Sequence, residues 1–216
     1  MKIGILLSGC GLGDGSQIEE VMLTYLALDK YGVDYIAFVT NKMQYDVINH
    51  YTEKVQSEER NILIEAARIG RGRIKDIKDV KSEEIDAIIL PGGLGVFKNL
   101  STFTVDKSEF KVAEDVDKLV KDLYSVGKPI CGMCSSIIII AKSLYNIATD
   151  LRIATGNNAF IDLMKSLNAK VENCSAEEIV IDRENKVITT PAFLASQNMN
   201  EIKSGIDKMV RELKHL

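Results

Sequence analysis

Short apolar runs alternating with stretches of helical periodicity constrain this chain most. The strand-like runs are Lys2 to Leu7, Tyr35 to Val39, Ala87 to Leu90 and Pro129 to Met133. Helical patterns cover Gln17 to Tyr31, Glu59 to Ile69, Val112 to Ser125, Ser135 to Leu144, Ala159 to Leu167 and Asn200 to Leu213. Strands separated by helices pair in parallel, and a strand covered on both faces reads as a continuous apolar run. The expected fold is a three-layer α/β/α sandwich around a mostly parallel, doubly wound sheet. Two later runs, Glu178 to Ile181 and Lys186 to Thr189, flank the polar turn Asp182-Arg183-Glu184-Asn185. They predict a C-terminal β-hairpin at or beyond the sheet edge. No repeat, low-complexity tract or Pro/Gly linker interrupts this order, so residues 1–216 read as one domain. Residues 40–80 are less regular and more polar, and are expected to form a flap or insertion over an active-site mouth or at a subunit contact.

Composition narrows the function classes. With 46% apolar and 27% charged residues among 216, the chain can bury a sizeable core. Its 27 basic and 31 acidic residues give a net charge of −4, and the basic ones concentrate only at Arg68, Arg71, Arg73 and Lys75. That cluster reads as a solvated edge, not a nucleic-acid footprint. No apolar run approaches the roughly 20 residues of a membrane span. Leu7-Ser8-Gly9-Cys10 looks like a lipoprotein cleavage box, but the apolar stretch Ile3 to Leu7 falls short of the roughly 7–15 residues of a secretory core. Four cysteines, at positions 10, 131, 134 and 174, are too few for a disulfide scaffold. The expectation is a cytoplasmic protein that engages neither membrane nor nucleic acid.

Three features carry chemistry. The first is Lys128-Pro129-Ile130-Cys131-Gly132-Met133-Cys134-Ser135-Ser136, where a strand stops and the apolar helix from Ile137 begins. Such a hinge projects the Cys134 side chain, and the free N–H groups of the new helix favour negative charge there. The thiol is therefore expected to ionise more readily than a free one, with Gly132 permitting the bend. A buried, inert cysteine is the structural alternative. The second feature is Glu20, which follows the glycine-rich turn of Gly9, Gly11, Gly13 and Gly15. Ser16 and Glu19 read as a capping box, leaving Glu20 in the first turns of a helix at the C-terminal end of strand one. Ligands bind on that side of open α/β sheets, although an ordinary dipole-favoured glutamate would look the same. Third, the strand Ile88-Ile89-Leu90 ends in Pro91-Gly92-Gly93. Its bare backbone can aim N–H groups at a pocket and, with the N–H of Ser135, form an oxyanion hole; Pro-Gly-Gly is also a plain turn.

These motifs, in this order, resemble the ThiJ/PfpI superfamily, whose fold is shared with class I glutamine amidotransferase domains. The resemblance rests on Glu20 twelve residues before Gly32, on Leu90-Pro91-Gly92-Gly93 followed by Asn99-Leu100-Ser101, and on Cys134. Further stretches are similar to the ElbB-like branch, called isoprenoid-biosynthesis or glyoxalase-like proteins. They are Leu7-Ser8-Gly9-Cys10-Gly11 with Asp14-Gly15-Ser16, Asp46-Val47-Ile48-Asn49-His50, and Arg60-Asn61 with Leu63-Ile64-Glu65-Ala66-Ala67-Arg68. Thr189-Thr190-Pro191-Ala192 and Ser204-Gly205-Ile206-Asp207-Lys208 complete the set. The resemblance implies a flavodoxin-like, class I glutamine amidotransferase-like sheet and a homo-oligomer, with a dimer favoured. It makes Cys134 the nucleophile, Glu20 the carboxyl beside its sulfur, and Gly93 and Ser135 the backbone donors. Two departures set limits. Many superfamily proteases carry His after the cysteine, where this chain has Ser135, and the late histidine of an amidotransferase triad has only His50 and the penultimate His215 to supply it. His50, within the 40–80 segment, is kept as an auxiliary candidate beside its reading as a hydrogen-bonded structural histidine.

The implied activity is glyoxalase-like. A small carbonyl substrate, a 2-oxoaldehyde, becomes a 2-hydroxy acid through a cysteine hemithioacetal, with no cofactor and no metal. A non-enzymatic redox-sensing or pathway-assisting protein using Cys134 is the alternative, and cysteine hydrolase or amidotransferase chemistry comes third. Cys10, Cys174 and His50 form no recognisable zinc set. Cys131 is expected to point into strand packing, against a Cys131-x-x-Cys134 redox pair. The glycine turn fails as a nucleotide fingerprint, since Asp14 stands where a third glycine is needed.

Overall fold

The computed structural model describes residues 1–216. The first half runs β1 (Lys2–Leu6), α1 (Ile18–Lys30), β2 (Asp34–Val39), β3 (Ile48–Asn49), β4 (Lys54–Val55), α2 (Ile62–Ile69), β5 (Ile74–Asp76) and β6 (Ala87–Leu90). There follow α3 (Gly95–Lys98), α4 (Phe103–Asp106), α5 (Glu114–Ser125), β7 (Ile130–Met133), α6 (Ile137–Leu144) and β8 (Arg152–Thr155). The chain ends with α7 (Ile161–Ser166), β9 (Lys170–Asn173), β10 (Val180–Asp182), β11 (Val187–Thr190) and α8 (Met199–Leu213). Seven strands form the main sheet in the order β10-β11-β7-β6-β1-β2-β5. Every neighbouring pair is parallel except β10 with β11. The expected edge hairpin is thus present, on a flavodoxin-like, class I glutamine amidotransferase-like sheet.

Side chains alternate across the sheet with a period of two, and both faces are covered. Ile3, Ile5, Ile89 and Cys131 pack with Val21 and Leu28 of α1, Ala66 of α2, and Ile206 and Met209 of α8. Leu6, Phe38, Ile88, Leu90 and Ile130 face the other way, onto Val116, Leu119 and Leu123 of α5 and the isoleucines of α6. Double coverage is why the central strands read as unbroken apolar runs. Each fully buried large aliphatic side chain contributes about 1.5–3 kcal/mol. No helix is long and apolar enough to cross a membrane.

The 40–80 segment divides in two. Residues 62–76 supply α2 and the edge strand β5, completing a regular crossover from β2. The remainder, including the β3–β4 hairpin, lies over the glycine turn. There Ile48 N–H donates to Asp14 Oδ2 (2.7 Å), and Lys98 Nζ donates to both Asp46 oxygens (2.9 and 2.8 Å) and to the Gly13 carbonyl (2.9 Å). A second unexpected element is the parallel pair β8–β9, joined to β11 through Ala154 N–H donating to Thr189 Oγ1 (2.7 Å).

Candidate active site

Strand order reverses between β1 and β6, which opens a crevice at their C-terminal ends. After β1 the chain turns through Gly9 and Gly11, both at positive φ (117° and 123°), before entering α1. Ser16 does not cap that helix. Its Oγ accepts the Ser8 N–H (2.8 Å) and ties the two ends of the turn together, while Gln17 Oε1 accepts the Glu19 N–H (3.0 Å) as the true N-cap.

Glu20 is fully buried in the first turn of α1, and its Oε2 accepts the Gly92 N–H at 2.7 Å. Its Oε1 is buried with no hydrogen-bond partner. The Cys134 thiol and the Phe193 N–H lie close enough to favour the carboxylate charge, but neither completes a well-formed bond to Oε1. Gly92 must be glycine, because a Cβ there would stand 2.7 Å from Cys134 Cβ, 2.9 Å from Glu20 Oε2 and 3.0 Å from Ser135 Oγ. Its carbonyl accepts the Gln17 N–H (2.9 Å), which locks the start of α1 to the end of β6.

Cys134 stands at φ 53°, a left-handed conformation, and opens a 3₁₀ turn over Cys134–Ser136 that feeds α6. The turn is held from beneath. Ser136 Oγ accepts the Met133 N–H (3.0 Å) and lies 2.5 Å from the Leu90 carbonyl, and Ser135 Oγ donates to the Gly93 carbonyl (2.8 Å). The bend therefore falls on Cys134 itself, not on Gly132. Glycine is needed at 132 because a Cβ there would come within 2.5 Å of Ile140 Cδ1.

Burial pushes the Glu20 carboxyl up to about 7, against the smaller opposing pull of the Gly92 and Phe193 N–H groups and the thiol. The Cys134 thiol also moves well above its ordinary value, first through burial and then through the Glu20 charge. This corrects the expectation of an easily ionised thiol. At 7% exposure, desolvation and a neighbouring carboxylate outweigh the backbone N–H groups of Ser135 and Gly93 that face the sulfur. The arrangement favours a thiol that passes its proton to Glu20 as the sulfur attacks. The backbone N–H groups of Gly93 and Ser135 lie against the Cys134 sulfur.

The other candidates lie apart. His50 Nε2 accepts the Gly13 N–H (3.1 Å), so the proton belongs on Nδ1, which donates to the Ile48 carbonyl (3.0 Å). The ring braces the glycine turn and lines no part of the Cys134 cavity. Cys131 is sealed inside β7, its thiol raised by burial, and all four cysteines are free. No group of three or more His, Cys, Asp or Glu side chains is arranged to hold a metal.

A cavity of about 270 Å³ opens over Cys134, walled by Leu12, Leu94, Phe97, Phe160, Phe193 and Leu194, with Gln17 and Gln197 as polar members. No local sequence pattern marks the aromatic walls. Pro191-Ala192 stands in the motif ahead of Phe193, but only the close packing of the turn after β11 against the Cys134 turn, the elbow between β7 and α6, brings that phenylalanine to Glu20.

A sequence profile of the DJ-1/PfpI family matches residues 14–201. Over 100% of its length the chain is 35% identical to the human glutamine amidotransferase-like class 1 domain-containing protein 3, mitochondrial, covering 83% of that protein. The zebrafish ES1 protein, mitochondrial, is 30% identical, with 98% of this chain and 84% of that protein aligned. Among solved structures, an isoprenoid biosynthesis protein with amidotransferase-like domain from Ehrlichia chaffeensis superposes with a TM-score of 0.92 at 30% identity, covering 100% of this chain and 99% of that one. Drosophila melanogaster DJ-1beta shares the fold at a TM-score of 0.57 and 16% identity, over 98% and 89% of the two chains.

Proposed function

The chain belongs to the DJ-1/PfpI family, and on that premise we propose that it converts small 2-oxoaldehydes to 2-hydroxy acids through a Cys134 hemithioacetal. One observation carries the reading: a buried carboxyl poised near 7, with one oxygen unpartnered, beside the thiol at the floor of a small cavity.

Glu20 takes the thiol proton as Sγ bonds to the aldehyde carbon, and the carbonyl oxygen becomes an alkoxide facing the Ser135 and Gly93 N–H groups. That oxygen then receives the proton, giving the hemithioacetal. Carboxylate again, Glu20 removes the hydrogen from the former aldehyde carbon, and the electron pair passes onto the adjacent ketone oxygen to form an enediolate. Return of that proton from Glu20 to the second carbon, with the hydroxyl proton of the first carbon passing to the second oxygen, leaves a thioester of the 2-hydroxy acid. Water attacks the thioester, the C–S bond breaks, and the sulfur recovers its proton. The sum is one 2-oxoaldehyde plus one water to one 2-hydroxy acid. One carbon is oxidised as its neighbour is reduced, so no external oxidant enters. Turnover of methylglyoxal to lactate tests the scheme; a Cys134→Ala variant that still turns over overturns it.

A second reading is redox sensing. It is favoured by the Ser135 and Gly93 N–H groups at the sulfur, which suit an oxidised, negatively charged cysteine as well as an alkoxide. Selective oxidation of Cys134 by mild peroxide, read by mass spectrometry, together with negligible aldehyde turnover, would favour sensing or a pathway-assisting role. Hydrolase or amidotransferase chemistry ranks below both, because no histidine lines the cavity. Homodimer assembly and a cytoplasmic setting belong to the same proposal, as does the absence of nucleic-acid or membrane partners. Light scattering and cell fractionation test them, the second against the mitochondrial names of the curated relatives.

A further inference from the structure

We propose that the Cys134 cavity selects neutral 2-oxoaldehydes bearing an aryl or branched-alkyl group and rejects those bearing carboxylate or phosphate; this rests on the glyoxalase-like reading above. At about 270 Å³ the cavity falls just below the usual range of roughly 300–1,000 Å³ for ligand pockets, so its ligand is small. None of its 11 lining residues is Lys, Arg, His, Asp or Glu. A charged substituent would lose its water there and meet no counter-charge. The nearby cation offers no rescue, since Lys98 is held by both Asp46 oxygens and the Gly13 carbonyl.

The walls are built for an apolar substituent. Phe160 is held at φ 58°, a left-handed conformation that is uncommon for a bulky side chain and marks stored strain. Asn157 and Asn158, at φ 49° and 58°, precede it. The loop is pinned on three sides: Asn157 Nδ2 donates to the Leu194 carbonyl (2.9 Å), Asn158 N–H to Asn173 Oδ1 (3.0 Å), and Thr155 Oγ1 to the Ala159 carbonyl (2.6 Å). So fixed, the Phe160 ring meets Phe97 edge-on with centroids 5.7 Å apart, and Phe97 packs on Phe103 at 5.0 Å. A substrate ring extends this array in the edge-to-face or offset geometry that aromatic groups prefer. Gln17 supplies neutral polarity. Its Oε1 is committed to the Glu19 N–H, so the amide nitrogen is the end left for a substrate, and that end donates to the ketone oxygen.

The test compares kcat/KM for phenylglyoxal, methylglyoxal and 4,5-dioxovalerate, each corrected for its addition to free N-acetylcysteine. Phenylglyoxal is expected at least about tenfold above methylglyoxal, and the carboxylate-bearing 4,5-dioxovalerate at least about tenfold below it. Phe160→Gly, which accepts a positive φ without strain, should lower the phenylglyoxal-to-methylglyoxal ratio at least about fivefold. Three values within about threefold of one another overturn the proposal, whether or not the variant folds. If no aldehyde turns over, the glyoxalase-like reading falls alone, and the cavity preference is read from alkylation of Cys134. Labelling by 2-bromoacetophenone at least about tenfold faster than by iodoacetate, each relative to free cysteine, supports it. A ratio of one or less overturns it.

Discussion

Helix α1 carries two buried oxygens without partners, Glu20 Oε1 in its first turn and the Tyr25 hydroxyl further along. They face opposite ends of the sheet. Glu20 meets the C-terminal ends of β1 and β6, whereas Tyr25 stacks on Tyr35 (4.9 Å, 12°) at the start of β2 and lines a groove of about 520 Å³ with Asp29, Asp34, Arg71 and Arg73. Burial raises both groups, Glu20 to about 7 and Tyr25 to about 12. The same desolvation thus has opposite consequences. A phenol at 12 stays neutral at any physiological pH, while a carboxyl at 7 gives and takes a proton readily. On the proposed chemistry the larger hollow takes no part; what sets the Glu20 end apart is a carboxyl poised between charge states beside a thiol.

The strongest way to break that contrast is to neutralise each end in turn. Cys134→Ala and Glu20→Gln should each lower kcat/KM for a 2-oxoaldehyde by about 10²- to 10⁴-fold, the usual worth of a proton-transfer group. Gln keeps an acceptor for the Gly92 N–H, so the local fold survives. Tyr25→Phe should stay within about twofold of the parent, in line with a surface or structural change away from the chemistry. Because the base must be ionised, the parent's kcat/KM should rise with pH through about 7. Steady-state kinetics that show Tyr25→Phe as damaging as Glu20→Gln would erase the distinction.

Sterics sharpen it next. Gly92→Ala puts a methyl group within 3.0 Å of Cys134, Glu20 and Ser135, and should cost about 1–3 kcal/mol of stability with at least a tenfold fall in activity. At the other end Gly32, with nothing near its would-be Cβ and φ 62°, carries only the backbone penalty. Gly32→Ala should cost about 1–2 kcal/mol and leave kcat/KM unchanged. Chemical denaturation with parallel kinetics separates the two; equal activity losses would mean that the Gly92 contacts do not matter.

How much of this was legible follows from where each residue gets its constraint. The central strands and the elbow were readable because double coverage and a strand-to-helix hinge leave local patterns. The edge strand β5 was not. It has three residues, none fully buried, and overlaps the end of the basic stretch Arg71 to Lys75 that reads as solvated edge. The pair β8–β9 escaped for a related reason: Arg152–Thr155 and Lys170–Asn173 are four residues each and depend on β11 for support. Ser16 reads as a cap in sequence because its real partner, the Ser8 N–H, is a tertiary contact across the glycine turn. The ionisation of Cys134 follows the same logic. The helix N-terminus is visible in sequence, but the burial and the Glu20 carboxylate that overrule it exist only after folding.

Stability against pH reads the same comparison without any substrate. Glu20 moves from an ordinary 4.5 to about 7 on folding, so the folded state binds its proton more tightly. Its contribution is fully present below about pH 4.5 and is lost as pH rises through about 7, up to on the order of 3 kcal/mol. Glu20→Gln should therefore be more stable than the parent at pH 8 and indistinguishable at pH 4.5, as read by thermal melts at the two values.

Tyr25→Phe should show the smallest effect and no such crossing. Removing a buried hydroxyl that has no partner removes its desolvation penalty, for a gain of up to about 1 kcal/mol. With the phenol titrating only near 12, the gain should be the same at pH 5 and pH 9. The melting temperature should accordingly rise by a few degrees, or hold, at both values. A loss of more than about 1.5 kcal/mol would mean that the hydroxyl has a hydrogen-bond partner after all, and that the two ends of α1 differ in packing as well as in titration.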